Sequence, residues 1–191
     1  MLPQNKNSHM DELNDLIKIY DNVLSKEVCE KLISFYEENS DKHEVIDNDG
    51  YPTFTQLNLT ENKSHINDIH NLLIKTVFEY RDRYYQYICR DVFPPSHAFE
   101  QFRIKKYKPT GNDRFDTHVD VKDYQSARRF LSFFWYLNDV DDGGKTIFKD
   151  MEIKPSMGTL IVFPPLWMFP HKGEPPISSS KYLLSTYLHY Q

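Results

Sequence analysis

The spacing of apolar residues changes near residue 98, and this change restricts the folds open to the chain. Before it, apolar side chains recur three and four residues apart, as in helices that pack on a core. Ser25 predicts a helix start, because its hydroxyl can accept a hydrogen bond from the first free amides. The elements predicted for this part are a strand at 16–20, helices at 25–39 and 64–89, and a turn at 48–52.

Beyond residue 98 the apolar pattern approaches strict alternation, which is typical of strands. Five of the six glycines lie here, between predicted strands, where turns need them. The predicted strands are 99–108, 115–121, 130–137, 146–148, 159–163 and 182–190. Many short antiparallel strands favour a mainly β fold with flanking helices, a sandwich or jelly roll in which the N-terminal helices pack on one sheet.

A chain of 191 residues is long enough for one domain with a sizeable core. We therefore expect a single domain over residues 1–191. Within it, 1–15 would be flexible or partly derived from an expression tag, 16–97 would form a helical part, and 98–191 would form the β core.

Charge and hydropathy argue against several functional classes. The net charge of −5 gives no case for an overall basic nucleic-acid-binding surface. No apolar run approaches about 20 residues, so no transmembrane helix is predicted. The polar N-terminus lacks the apolar stretch of a signal peptide. Cys29 and Cys89 fall in apolar helical patterns and are predicted to be reduced core residues. These features predict a cytoplasmic protein, whose oligomeric state cannot be read from the sequence.

One group of residues carries the pattern of a metal site. His118 and Asp120 are two apart in a predicted strand, so their side chains leave the same face and can reach one ion. His171, at the end of another strand, is the candidate third ligand. Two imidazoles and one carboxylate can hold one face of iron(II) and leave the other face open. A His-x-Asp pair alone is weak evidence, because such pairs also occur by chance on surfaces.

The residues around this pair form an ordered series of motifs. In chain order they read FRIKKYKPTGNDRFDTHVD at 102–120, Arg129, WYLN at 135–138, GGKTIF at 143–148, KPSMG at 154–158, Phe163-Pro164, PHKGEP at 170–175 and Lys181-Tyr182. This order and spacing resemble the prolyl 4-hydroxylase branch of the iron(II)/2-oxoglutarate-dependent oxygenase superfamily, over roughly residues 99–190.

The resemblance implies a fold, a metal and a cosubstrate. The implied fold is a double-stranded β-helix, a jelly-roll or cupin-like form of the architecture predicted above. The family's iron ligands match His118, Asp120 and His171, which are also its catalytic residues here. The resemblance further implies 2-oxoglutarate as cosubstrate, dioxygen as oxidant and ascorbate as a candidate reductant.

The same resemblance assigns the cosubstrate pocket. The basic residue that pairs with the C5 carboxylate of 2-oxoglutarate matches Lys181, and the tyrosine that hydrogen-bonds this carboxylate matches Tyr107. Tyr136 and Thr146 match positions that line the pocket. Each also has a structural interpretation: Lys181 could open an exposed strand, and Tyr136 lies in an aromatic run where core packing is the default.

Two further residues, Arg129 and Trp135, are candidate substrate contacts, and Arg129 equally fits a structural role. The implied reaction is hydroxylation of a prolyl residue in a peptide or protein, coupled to decarboxylation of 2-oxoglutarate to succinate and carbon dioxide. The alternatives are an oxygenase that acts on another side chain, a free amino acid or an alkylated base, and a jelly-roll binding module without turnover. Neither a membrane nor a nucleic-acid partner is expected.

Overall fold

The computed structural model describes residues 11–47 and 52–191. Its helices are α1 (Asp11–Asn14), α2 (Lys26–Glu38) and α3 (Asn67–Ile88), with short 3-10 turns at Ser40–Lys42, Lys63–His65 and Arg90–Val92. Its strands are β1 (Lys18–Tyr20), β2 (Glu44–Asp47), β3 (Thr53–Asn58), β4 (His97–Phe99), β5 (Arg103–Tyr107), β6 (Phe115–His118), β7 (Arg129–Tyr136), β8 (Thr146–Phe148), β9 (Met151–Ile153), β10 (Leu160–Phe163), β11 (His171–Gly173) and β12 (Lys181–Tyr190).

These strands form two antiparallel sheets. The larger sheet has the order β1-β10-β7-β12-β5-β3-β2, and β4 pairs with the far end of β12. The smaller sheet has the order β6-β11-β8-β9. Buried aromatic and aliphatic side chains from both sheets form one cluster, in which Phe148 of the smaller sheet contacts Phe163 of the larger one. The predicted mainly β jelly-roll core is therefore confirmed.

The two long helices cover the other face of the larger sheet. Ser25 caps α2 as predicted, because its hydroxyl accepts a hydrogen bond from the Val28 amide at 3.3 Å. The buried side chains of α2 and α3 share a second apolar cluster with alternate residues of β7, including Phe133 and Trp135. The intervening residue Phe134 points into the cluster between the sheets. The central strand β7 is thus covered on both faces.

The N-terminal part is less helical than predicted. β2 and β3 form a hairpin, and β3 pairs with β5, so this part adds two strands to the larger sheet. The predicted turn at 48–52 lies almost wholly outside the described residues. The short strands β4, β9 and β11 were also missing from the predicted set. Cys29 is buried as predicted, whereas Cys89 is exposed, because it lies just beyond the end of α3.

Candidate metal centre and cosubstrate pocket

The pairing of β6 with β11 brings the two distant histidines together. His171 is the direct antiparallel partner of His118, and Asp120 follows two residues later. The Nε2 atom of His118 lies 3.5 Å from one carboxylate oxygen of Asp120, and the Nε2 atom of His171 lies 3.7 Å from the other. One ligand atom from each residue lies within 4.8 Å of the other two. Within the described residues, this is the group with the geometry to hold a metal ion.

Hydrogen bonds to the backbone orient both imidazoles. The Nδ1 atom of His118 lies 2.7 Å from the carbonyl oxygen of Asp116, and the Nδ1 atom of His171 lies 3.1 Å from that of Phe169. A carbonyl oxygen only accepts, so each Nδ1 carries the proton and donates it. Each Nε2 therefore presents its lone pair toward Asp120, which is the arrangement usual for metal-bound histidines.

Asp120 supplies an observation that fits a cation. Its Oδ2 atom is buried and has no hydrogen-bond partner among the described residues. Burial alone would raise the pKa of Asp120, but the close contact with His118 and the positive charge of Lys105 lower it overall. The carboxylate is therefore ionised at neutral pH. Burial also lowers the pKa of His171, which keeps that imidazole neutral. An ionised carboxylate with an unsatisfied oxygen beside two nitrogen lone pairs suits a divalent ion such as iron(II).

Lys181 lines the same cleft as His118, Asp120 and His171. It is 2% exposed and stands opposite Tyr107 in the pairing of β12 with β5. Its ammonium donates a hydrogen bond of 2.6 Å to the Gly144 carbonyl oxygen and lies 5.2 Å from the centre of the Tyr136 ring. Burial lowers the pKa of Lys181 to about 7. An anionic group that entered the cleft would therefore meet a buried ammonium.

Three uncharged hydroxyls accompany this lysine. Tyr136 donates a hydrogen bond of 2.6 Å to the Thr146 hydroxyl, and Thr146 lines the cleft together with Tyr107. Burial raises the pKa values of Tyr107 and Tyr136, so both hydroxyls keep their protons at neutral pH. Of the four residues of the sequence-predicted cosubstrate pocket, Lys181, Tyr107 and Thr146 therefore line the cleft that contains His118, and Tyr136 lies behind Thr146.

Arg129 and Trp135 occupy very different positions. Arg129 donates a hydrogen bond of 2.8 Å to the backbone carbonyl oxygen of Asp120, and it binds Glu100 through two further bonds of 2.7 and 2.8 Å. It therefore supports the segment that carries a candidate ligand. Trp135 is fully buried among Phe133, Phe102 and the helix residues, on the face of β7 away from the cleft. The prediction that Trp135 contacts a substrate is wrong, because its ring is fully buried beneath the helices.

Two residues near the cleft were not assigned a role from the sequence. Glu100 accepts hydrogen bonds from Arg129 and also lies 2.8 Å from His189 Nε2. Lys105 shares a face of β5 with Tyr107 and lines the cleft beside Asp120. Burial lowers the pKa of Lys105 to about 8. Strict alternation along β5 signalled the shared face, but the sequence left open whether that face met solvent or the cleft.

The sequence matches a known protein family and a known protein. Residues 102–189 match the model of the 2OG-Fe(II) oxygenase superfamily. Over 90% of its length the chain is 26% identical to the probable prolyl 4-hydroxylase 3 of Arabidopsis thaliana, of which the match covers 68%.

Solved structures share the chain path. A viral collagen prolyl hydroxylase from Paramecium Bursaria Chlorella virus-1, in a 2-oxoglutarate complex, superposes with a TM-score of 0.73 at 21% identity, over 92% of this chain and 97% of that one. A prolyl hydroxylase from Trichoplax adhaerens, in complex with a hypoxia inducible factor peptide fragment, gives 0.75 at 14% identity, over 94% and 86%. At these identities the likeness concerns the fold.

The family match implies iron(II), 2-oxoglutarate and dioxygen, and the His-Asp-His group has a donor set that fits the first of these. Within residues 11–47 and 52–191, no helix is long and apolar enough to cross a membrane.

Proposed function

We propose that this protein, a prolyl hydroxylase-like 2-oxoglutarate-dependent dioxygenase by its family match and its fold, hydroxylates a prolyl residue of a peptide or protein substrate. The observation that carries the proposal is the convergence of two separate groups in one cleft. The candidate ligands His118, Asp120 and His171 and the buried ammonium of Lys181 line the same cleft.

The proposed metal ligands are His118, Asp120 and His171. When bound, iron(II) with 2-oxoglutarate and dioxygen supplies the oxidising power for hydroxylation of a C–H bond, and 2-oxoglutarate leaves as succinate and carbon dioxide. The hydrogen bonds from each Nδ1 to a backbone carbonyl keep both imidazoles in the tautomer that binds a metal. The buried position of Asp120 keeps water from competing for its oxygens.

Lys181 and Tyr107 are proposed to bind the C5 carboxylate of 2-oxoglutarate. A lysine presents a point charge with three donors, which a carboxylate can approach from several directions. Tyr136 and Thr146 close the wall behind it through their mutual hydrogen bond, which leaves the Thr146 hydroxyl hydrogen free to donate to the cosubstrate. The polar wall orients the cosubstrate, and the surrounding aromatic rings exclude water.

A second opening beside the metal group supports a peptide as the substrate. We call it the side groove; its lining includes Gln56, Gln101, Arg103, Arg129, Ser185 and Tyr187, and it meets the cleft at Lys105, Phe115 and Asp120. Amide, hydroxyl and guanidinium groups of this kind suit the carbonyls of an extended peptide. The Trichoplax relative was solved with a peptide fragment, which also favours a peptide substrate.

The test measures iron- and oxygen-dependent conversion of 2-oxoglutarate to succinate, with and without proline-rich peptides and with and without ascorbate. His118→Ala is the control that removes a proposed ligand, and His65→Ala removes an exposed histidine outside the cleft. We expect peptide-stimulated succinate formation and a peptide mass gain of one oxygen atom on proline, both absent in His118→Ala.

Two results would contradict the proposal in different ways. Succinate formation that no proline peptide stimulates would leave an oxygenase with another substrate. Iron binding without any turnover would favour a binding module.

A further inference from the structure

Lys105 lies where the cleft and the side groove meet. Its side chain lines both openings, together with Asp120. It is partly buried, and it projects from the same face of β5 as Arg103 and Tyr107. The next residue, Lys106, projects from the opposite face, where it pairs with Glu37 at 2.7 Å. Of these two neighbouring lysines, only Lys105 therefore faces the metal group.

The ammonium of Lys105 makes no close ion pair with a described residue, and the carboxylate that acts on it most strongly is Asp120, the candidate metal ligand. No described carboxylate lies within the 4.0 Å of an ion pair, and no hydrogen bond joins it to another described residue. Its contacts are with aromatic rings, whose centres lie 5.5 Å away in Phe54 and 5.9 Å away in Phe134. A partly buried lysine is normally paired, so an unpaired one facing an opening indicates a missing anion.

The charges of the loaded site leave this lysine uncompensated. A divalent ion would offset Asp120 and one carboxylate of the cosubstrate, and Lys181 would pair with the other carboxylate. In the side groove, Glu100 is already bound by Arg129 and His189. Lys105 therefore adds a positive charge that neither the cosubstrate nor the protein balances.

We propose that Lys105 binds a carboxylate of the substrate, and that the substrate carries this carboxylate beside the prolyl residue to be hydroxylated. The inference rests on the proposed function and narrows its substrate class to acidic proline peptides. The carboxylate has two possible sources with the same chemistry, an Asp or Glu side chain next to the proline or the free C-terminus of a chain that ends in proline. Arg103, on the same face of β5, also lines the side groove, where it pairs with Glu100 at 3.3 Å.

The test compares peptide binding to the protein loaded with manganese(II) and 2-oxoglutarate, with oxygen excluded, by calorimetric titration. Three peptides share one sequence: one has Glu beside the central proline, one has Gln there, and one has Gln there but ends in proline with a free carboxylate. The variants are Lys105→Met, which keeps the length and apolar stem, Lys105→Arg, which keeps the charge, and Lys106→Met as the matched control.

We expect an acidic peptide to bind about tenfold or more tightly than the Gln peptide, as for a charge-assisted hydrogen bond. Lys105→Met should equalise the affinities, while Lys105→Arg and Lys106→Met should keep a preference. Tighter binding of the Glu peptide would identify a side chain as the source of the carboxylate, and tighter binding of the peptide that ends in proline would identify the C-terminus. Thermal melting of each variant checks that it is folded. If Lys105→Met does not fold, Lys105→Arg provides a second comparison with the unsubstituted protein.

Equal affinity for all three peptides, or no binding of the acidic ones, overturns the inference. A Lys105→Met variant that loses affinity for 2-oxoglutarate but still discriminates between the peptides also overturns it, because Lys105 would then serve the cosubstrate. Failure of the proposed function looks different. In that case the acidic peptide binds through Lys105, but the iron-loaded protein in air adds no oxygen to its proline.

Discussion

Replacing Arg129 with methionine tests whether the network beneath Asp120 supports the metal group. Arg129 binds Glu100 through two hydrogen bonds, and the two side chains are 24% and 14% exposed. Removing one partner of a buried pair costs about 3–5 kcal/mol. Because this pair is partly exposed and Glu100 keeps His189 as a partner, we expect the lower end, a loss of about 3 kcal/mol in the free energy of unfolding.

The assay is urea denaturation of Arg129→Met and of Arg128→Met, whose exposed neighbouring side chain provides the control. The control should change the free energy of unfolding by less than about 0.5 kcal/mol. Since Arg129 also holds the backbone carbonyl of Asp120, Arg129→Met should bind manganese(II) about tenfold more weakly. A stability loss below about 1 kcal/mol, the value of an exposed ion pair, together with unchanged manganese affinity, would refute the reasoning.

The stability effect also has a defined pH dependence. Burial alone would raise the pKa of Glu100, but the hydrogen bonds and charges of Arg129 and His189 lower it overall. A carboxyl whose pKa is lower in the folded state contributes stability above its unfolded pKa, and this contribution is lost as the pH falls through the folded pKa. The difference between the unsubstituted protein and Arg129→Met should therefore shrink in acid. A difference that grew as the pH fell would have the wrong sign.

Three further predictions follow from other contacts. Lys181→Ala should raise the apparent KM for 2-oxoglutarate by about tenfold or more in the succinate assay. The unsubstituted protein should lose affinity for 2-oxoglutarate above about pH 7, where Lys181 loses its proton, and Lys181→Ala should not show this pH dependence. Gly158→Ala should destabilise the protein by about 2 kcal/mol more than Gly111→Ala in urea denaturation. Both glycines have a φ of +79°, but of the two only Gly158 has a neighbour, the carbonyl oxygen of Leu24, with which a Cβ would collide. Asp120→Asn should abolish the rise in melting temperature that manganese(II) produces. It should not lower the stability of the metal-free protein, because it removes a buried charge with an unsatisfied oxygen. Equal melting shifts in both proteins would contradict this.

Local patterns in the sequence predicted the elements whose signals are themselves local. The hydroxyl of Ser25 marked the start of α2, and the period of two beyond residue 98 marked most strands of the jelly roll. The His118-x-Asp120 spacing was informative for the same reason, since residues two apart in a strand share a face. The choice of His171 and Lys181 as their partners came from the order of the motifs along the chain, and the fold brings both into the same cleft.

Only the tertiary structure decided which face of each strand meets the cleft. Alternation places Lys105 with Tyr107, and Trp135 apart from Tyr136, but it does not say which face is covered by helices and which by the second sheet. Because β7 is buried on both sides, Trp135 gave no sequence signal of its position in the helix layer. Two partners of Glu100, Arg129 and His189, lie far along the chain, and pairing over such distances depends on strand order rather than on neighbouring residues.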